Sequence, residues 1–204
     1  MIQTTVLLLS ALLFFGCSTI TTPSITRYTL LLQDSSTTHA SDQTSYTLKL
    51  SNTKAPYSLS SKSLLYLKDP QEIGTYLYSQ WNDAPSALID SYIATSLGES
   101  QLFTNLLPKS STLQSDLLLE SSLSSFYHRI HENKTSDGYI DITYMLIDQK
   151  TKKMVANKRF VITAPAQSLD AKGGVTALNA ATHELSIQSI AWLTMIMKEN
   201  KWTK

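Results

Sequence analysis

The chain contains one cysteine, and its position is the clearest chemical signal in the sequence. Cys17 ends the segment LLFFGC, after a run from Val6 to Phe15 that is apolar except for Ser10. This run is too short to span a bilayer, which takes about 20 residues, but it has the length of a signal-peptide core. A small residue followed by cysteine is typical of bacterial lipoprotein signals, in which the thiol receives a diacylglyceryl group. We therefore predict a cleaved signal peptide over residues 1–16 and lipidation of Cys17.

Gly16 and Cys17 carry the match to a lipobox, whereas Phe14 and Phe15 replace the more usual leucine and small residue. A plain signal peptide, or a buried first strand with an incidental cysteine, is the alternative interpretation. Thioether-linked chains and an N-acyl chain such as palmitate would supply the two anchoring signals that stable membrane attachment requires. Ser18 follows the cysteine in place of Asp, which favours the outer membrane over the inner membrane.

Two histidines are the remaining candidates for metal chemistry. His128 and His131 lie three residues apart in FYHRIHE and are followed by Glu132. Residues three apart on a strand point to opposite faces, so we interpret this segment as a solvated strand end and predict no metal site. The sequence has no G-x-S-x-G, no Gly-rich phosphate loop and no H-E-x-x-H, and we predict no catalytic residue and no cofactor. A hydrolase that uses one of the many serines stays open as an alternative.

Two groups of side chains could contact a partner. Three aromatic residues of TYLYSQW form the first group: Tyr76, Tyr78 and Trp81. They could form an exposed docking edge, since Tyr and Trp are enriched at interface hot spots, or they could pack against the core. Five basic residues of KTKKMVANKR form the second group: Lys150, Lys152, Lys153, Lys158 and Arg159. A solvated hairpin turn is the favoured interpretation, and contact with anionic head groups or an acidic partner is the alternative.

The composition indicates one globular domain without a nucleic-acid partner. The 204 residues are 42% hydrophobic, which is enough for a packed core, and 16% charged. Lys and Arg number 17 and Asp and Glu number 16, so the chain lacks the positive excess that nucleic-acid binding needs. A single cysteine excludes an internal disulfide framework.

Hydrophobic periodicity predicts the elements that position these residues. Strands are predicted over residues 27–32, 44–52, 63–68, 74–81, 101–107, 137–148 and 154–164, the last two as an antiparallel hairpin. Residues 116–130 fit a strand or a helix, and their Ser-rich middle favours a strand. One helix is predicted from its N-cap Asp83 to about Gly98, and a long one from Gly174 onward. This order predicts an α+β fold with one mostly antiparallel sheet and two main helices packed against it.

The segments RYTL and YLYSQWNDAPSALI, taken with this order of elements, resemble the ABC-type transport auxiliary lipoprotein family. These are the PqiC-like lipoproteins that accompany MCE lipid transport systems. Trp81 and Pro85 match the tryptophan and proline around the first helix of the family, and the resemblance runs over residues 27–192. It implies a lipidated tether over residues 17–26 and a periplasmic auxiliary lipoprotein domain over residues 27–204.

The resemblance also implies a function and partners. Such proteins are not enzymes; their lipid holds them at the periplasmic face of the outer membrane, where they receive the end of an MCE-domain assembly of an ABC transporter. Phospholipid is the implied cargo, and several copies are implied to assemble, in a number that the sequence does not fix. Two other functions stay open: a periplasmic carrier whose own apolar cavity binds lipid, and a chaperone for the assembly of outer-membrane components.

Replacing Cys17 by Ser tests the predicted anchor. The variant lacks the thiol that is acylated, so we expect the protein to leave the membrane fraction and to lose the mass of its acyl chains. Fractionation of cells and mass spectrometry of the N-terminal peptide measure both effects. Membrane association that survives in Cys17→Ser would contradict lipidation as the anchor.

Overall fold

The computed structural model describes residues 23–33, 43–68 and 71–200. The predicted signal peptide, Cys17 and most of the predicted tether lie outside the described residues. The strands are β1 (Thr26–Tyr28), β2 (Thr44–Leu50), β3 (Ser63–Lys68), β4 (Glu72–Trp81), β5 (Phe103–Leu107), β6 (Leu117–Ile130), β7 (Ser136–Asp148) and β8 (Lys153–Pro165). The α-helices are α1 (Pro85–Ser100) and α2 (Ala171–Glu199).

Strand β6 connects the two halves of a single eight-stranded sheet. Along one edge, its first half pairs with β2 and its second half with β3, both in parallel. Along the other edge it pairs with β7 in an antiparallel ladder from Leu117 to Ile130, and β8 follows β7 in the same way. Strand β4 pairs antiparallel with β3, and the short strands β1 and β5 pair in parallel with β4 and β2. The three antiparallel pairings, β3 with β4, β6 with β7 and β7 with β8, are the longest, so the sheet is mostly antiparallel.

The predicted α+β fold with two main helices is confirmed. Helix α2 packs on β6, β7 and β8, and α1 packs against α2 and β5. An apolar stripe of α2 is buried from Leu178 through Leu185 to Leu193, and Ser189, which interrupts the stripe, is buried with it. Among the described residues, no helix is long and apolar enough to cross a membrane.

A bulge in β6 decides which of its side chains face the helices. The ladder with β7 shifts between Leu123 and Ser125, so one residue of β6 has no partner there. As a result Leu123, Phe126 and His128 are all buried, although the first two are three residues apart. Residues 116–130 are therefore a strand, as favoured, and their apolar spacing resembles that of a helix because of the bulge.

Glycines allow α2 to lie close against the sheet. A Cβ atom on Gly138 of β7 would lie 2.6 Å from the backbone of Ala177, and one on Gly174 of α2 would lie 2.6 Å from Cγ of His128. The start of α2 is fixed by Asp170, whose side chain accepts a hydrogen bond of 2.9 Å from the backbone N–H of Gly173. The helix can approach the sheet this closely because glycine, which has no side chain, occupies both positions.

Several predicted boundaries are wrong by a few residues, and two of them have clear local reasons. The first strand ends at Tyr28 instead of residue 32, because its partner strand β4 ends at Trp81, opposite Tyr28. Beyond this point the chain forms a hydrogen bond with α2, in which the backbone N–H of Leu31 donates to Oδ1 of Asn179 at 2.7 Å. The N-cap of α1 is Ala84 and not Asp83, whose carboxylate instead accepts from the N–H of Ala84 at 2.8 Å.

Substituting Gly138 by Ala tests the close approach of α2. The added methyl group has to displace the backbone of the helix, and we expect a loss of about 1–3 kcal/mol in the free energy of unfolding, the usual cost of overpacking. Gly98→Ala is the matched control, because a Cβ atom at Gly98 meets nothing within 4 Å, and it should be neutral or stabilising. Urea unfolding measures both variants; equal stabilities would contradict the argument.

Candidate functional site

The aromatic residues of β4 lie in three different environments. Trp81 is fully buried and its ring packs against that of Phe126, with 5.5 Å between the centroids. Tyr76 is partly buried, whereas Tyr78 is 53% exposed. This corrects the predicted docking edge: Trp81 belongs to the core, because β1 and β3 pair on either side of the end of β4 and the ring of Phe126 packs against it. Tyr78 alone of the three is well placed to contact a partner.

The partly buried Tyr76 and the fully buried His128 form a polar pair beneath the start of α2. The hydroxyl group of Tyr76 lies 2.7 Å from Nδ1 of His128 and donates a hydrogen bond to the carbonyl of Leu169 at 3.3 Å. Both bonds form together when Nδ1 carries the proton and donates to the hydroxyl oxygen. His128 is 0% exposed, and its Nε2 atom has no hydrogen-bond partner among the described residues. The prediction of a solvated strand end is therefore wrong for His128, because the bulge turns it inward.

Burial keeps both members of this pair neutral near pH 7. It raises the pKa of Tyr76 to about 12, with a smaller contribution from the negative charge of Asp170. It lowers the pKa of the His128 imidazole, although Asp137 and Asp170 act in the opposite direction. A neutral pair without solvent contact at the imidazole joins helix to sheet and is poorly placed to bind a substrate.

His131 lies on the other side of the sheet from His128, as the spacing predicts. Its Nε2 atom is 2.7 Å from Oδ2 of Asp137, which also forms two hydrogen bonds with Arg129 at 3.0 and 3.2 Å. Nowhere in the described ranges do three or more His, Cys, Asp or Glu side chains converge as metal ligands do.

The five basic residues do not form one surface. Lys150, Lys152 and Lys153 are exposed at the turn between β7 and β8, and we call these three residues the lysine turn. Arg159 instead forms two hydrogen bonds of 2.9 and 2.6 Å with the buried carboxylate of Asp141. Lys158 points to the helix side, with its Nζ atom 4.9 Å from the centre of the Phe160 ring. Strand alternation thus divides Lys158 and Arg159 between the two faces of the sheet.

A groove adjoins the lysine turn at the same end of the sheet. It has a volume of about 350 Å³ and is lined by Ser45, Tyr46, Asp116, Leu117, Asp148 and Lys150. The backbone N–H groups of Lys150 and Thr151 donate to the carboxylate of Asp148, and these bonds lower its pKa. The turn is therefore held in one shape, with its three lysines exposed and Nζ of Lys152 donating to Oε1 of Gln149 at 2.9 Å.

A second polar cluster, which the sequence analysis missed, joins α1 to the sheet. The Thr53 hydroxyl donates to Asp90 at 2.5 Å and lies 2.6 Å from Oγ of Ser121. These residues line a cavity of about 30 Å³ that Tyr144 also borders. Burial raises the pKa of Asp90, while the bonds from Thr53 lower it. Nothing in the sequence pairs Asp90 with Thr53, because they are 37 positions apart on different elements.

Substituting His128 tests its buried, neutral state. Because its pKa is lowered in the folded protein, the unfolded chain binds more protons below about pH 6.5, so stability should fall as the pH drops from 7 to 5. One such histidine contributes a slope of at most about 1.4 kcal/mol per pH unit. His128→Gln should flatten the pH dependence of the unfolding free energy measured in urea. An unchanged slope in His128→Gln would refute the assignment.

The fold matches solved structures of bacterial proteins. Protein XCC0632 from Xanthomonas campestris aligns with a TM-score of 0.77 and 16% identity over 86% of this chain and 99% of that one. The hypothetical protein CT253 from Chlamydia trachomatis aligns with a TM-score of 0.51 and 11% identity over 74% and 96% of the two chains. At these identities the likeness shows the fold alone. No curated protein matches the chain in sequence.

A sequence profile identifies the family. The profile of the ABC-type transport auxiliary lipoprotein component matches residues 28–191, which include every strand from β2 to β8, helix α1 and most of α2. The match covers well over half of the chain and agrees with the resemblance carried by RYTL and YLYSQWNDAPSALI. The chain belongs to the family of ABC-type transport auxiliary lipoprotein components.

Proposed function

We propose that this protein is a lipoprotein of the outer membrane and the non-catalytic docking subunit of an MCE-type ABC system that moves lipid between membranes. The family match over residues 28–191 is the observation that carries the proposal. Cys17, acylated and first in the mature chain, holds the domain at the periplasmic face of the membrane. The MCE-domain protein then reaches the domain from the side of the inner membrane.

The lysine turn and its groove form the partner-binding end of the domain. Lys150, Lys152 and Lys153 are exposed, and the groove beside them has room for a protruding side chain or a short loop. Exposed charges at the rim of an interface steer association and raise the rate of encounter. The expected partner therefore presents an acidic surface to this end of the sheet.

The structure supports docking over the alternative of a lipid carrier. The cavity between α1 and the sheet has a volume of about 30 Å³ and is bordered by the polar groups of Thr53, Asp90, Ser121 and Tyr144. Pockets that bind small molecules are usually about 300–1,000 Å³ and mostly apolar. An acyl chain does not fit this cavity, and the groove of about 350 Å³ beside the lysine turn is lined mainly by polar side chains, so neither favours a lipid carrier.

Crosslinking in cells tests the proposed partner. The tagged full-length protein is expressed in its own or another Gram-negative host, whole cells are crosslinked, and the co-purifying proteins are identified. We expect an MCE-domain protein, and we expect its recovery to require the anchor and so to be lost in Cys17→Ser. Recovery of barrel-assembly or lipopolysaccharide machinery alone would contradict the proposal.

Charge reversal at the lysine turn tests the partner-binding end. Lys150→Glu combined with Lys152→Glu should lower the recovery of the MCE-domain protein several-fold, because the steering charges are reversed. Lys62→Glu is the matched control, since this lysine is also exposed but lies outside the turn. Unchanged recovery in the double variant would remove the lysine turn from the interface.

A further inference from the structure

The hairpin of β3 and β4 exposes apolar side chains that the core does not use. On one face of β4, Ile73 is 61% exposed and Leu77 is 79% exposed, and Tyr78, which strand alternation directs to the other face, is 53% exposed. We call these three residues the hairpin patch. Large apolar side chains grouped on one exposed element are typical of a surface that contacts another protein or a membrane.

The backbone beside the hairpin patch is also open. Strand β1 pairs with β4 only over Ser79–Trp81. Within the described residues, the outer edge of β4 therefore has no partner strand from Glu72 to Tyr78. An edge of this kind needs water or polar groups for its N–H and C=O groups, and a lipid head-group region supplies both.

The direction of β1 puts this hairpin within reach of the predicted anchor. Because β1 runs parallel to β4, with Thr26 opposite Ser79, the chain that precedes Thr26 comes from the end of the sheet where β4 begins. Cys17 precedes Thr26 by nine residues, which reach at most about 30 Å when extended. The stretch of β4 from Glu72 to Ser79 is about 23 Å long at 3.3 Å per residue. The tether is thus long enough to run past the hairpin patch and little further.

The lysine turn lies at the opposite end of the sheet. Strand β3 ends with Lys68 beside Ile130, the last residue of β6, whereas the turn after β7 begins with Asp148 beside Leu117, the first residue of β6. The length of β6 separates these two ends by about 43 Å at 3.3 Å per residue. The anchor and the lysine turn therefore belong to different ends of the domain.

We propose that the hairpin patch rests in the interfacial region of the membrane that holds the Cys17 anchor. Ile73 and Leu77 enter the boundary between head groups and acyl chains, and Tyr78 lies at the head groups, where its hydroxyl stays hydrated. This second contact fixes the orientation of the domain, with the lysine turn directed away from the membrane. The inference rests on the lipid anchor of the proposed function but not on its MCE partner.

Depth-dependent quenching tests the proposed contact. An acylated Cys17 has no free thiol, so a cysteine introduced into the full-length lipidated protein is the single site for an environment-sensitive fluorophore. Leu77→Cys is the test position. Leu113→Cys is its matched control, because Leu113 is 66% exposed and lies between β5 and the first residue of β6, at the far end of the sheet. The protein is reconstituted in vesicles of phosphatidylethanolamine and phosphatidylglycerol that carry a quencher at a known depth.

We expect a blue shift and loss of fluorescence at position 77 and neither change at position 113. Absence of quenching at position 77, or equal quenching at both positions, would overturn the proposal. A signal at position 77 that depends on protein concentration and not on the lipid quencher would assign the patch to a second copy and overturn it as well. Mass spectrometry of the labelled protein confirms that Cys17 is acylated before the measurement.

Charged substitutions in the hairpin patch give an independent test, and we expect the fold to tolerate them. Ile73→Glu with Leu77→Glu should abolish lipid quenching of a probe at Thr75→Cys, while thermal unfolding stays unchanged because both replaced side chains are exposed. Quenching that persists in this variant would contradict insertion of the patch. The vesicles contain no MCE-domain protein, so the quenching experiment tests only the membrane contact. The proposed MCE partner is tested separately, by crosslinking in cells.

Discussion

The hydrogen-bonding requirement of one long strand organises this domain. Strand β6 offers two edges over Leu117–Ile130, and every buried N–H and C=O group along them needs a partner. Strand β7 satisfies one edge over its full length. No single strand pairs with the whole of the other edge. Strand β2 pairs with the first half of that edge and β3 with the second half, and an isolated bridge between Lys54 and Ser122 lies between them. The sheet consequently branches into a β2–β5 arm and a β3–β4–β1 arm.

This branching gives the domain two ends with different chemistry. The β3–β4–β1 arm carries the entry of the chain and the exposed side chains Ile73 and Leu77, whereas the other end of β6 and β7 carries the lysine turn and the groove beside it. Between the two ends, α2 lies so close to the sheet that Gly138 and Gly174 have no room for a Cβ atom. The proposed membrane contact and the proposed partner contact lie at these opposite ends, and a docking subunit would need such an arrangement because a lipid anchor alone would not orient it.

Parts of the site were predictable and parts were not, for reasons that particular residues show. Alternation in DGYIDITYMLID and the apolar stripe around Leu185 are local patterns, and the segments that carry them form strand β7 and helix α2. His128 was placed wrongly because the bulge before Phe126 shifts the inward face by one residue, and a bulge has no clear signature among serines. Trp81 was left undecided between surface and core, since its burial depends on β1, β3 and the Phe126 ring of β6. Arg159 was counted with the lysines, although its partner Asp141 lies on the neighbouring strand.

The sequence by itself determined the class of the fold, the order of its elements, the family and the candidate anchor at Cys17, because periodicity, the lipobox and RYTL are properties of neighbouring residues. The tertiary structure decided which aromatic and basic side chains are available to a partner. It also decided that the chain enters beside the hairpin patch and that the lysine turn lies at the opposite end. These facts depend on strand pairing between segments far apart in the chain, and pairing follows from the satisfaction of backbone hydrogen bonds and the burial of one face, which no local pattern encodes.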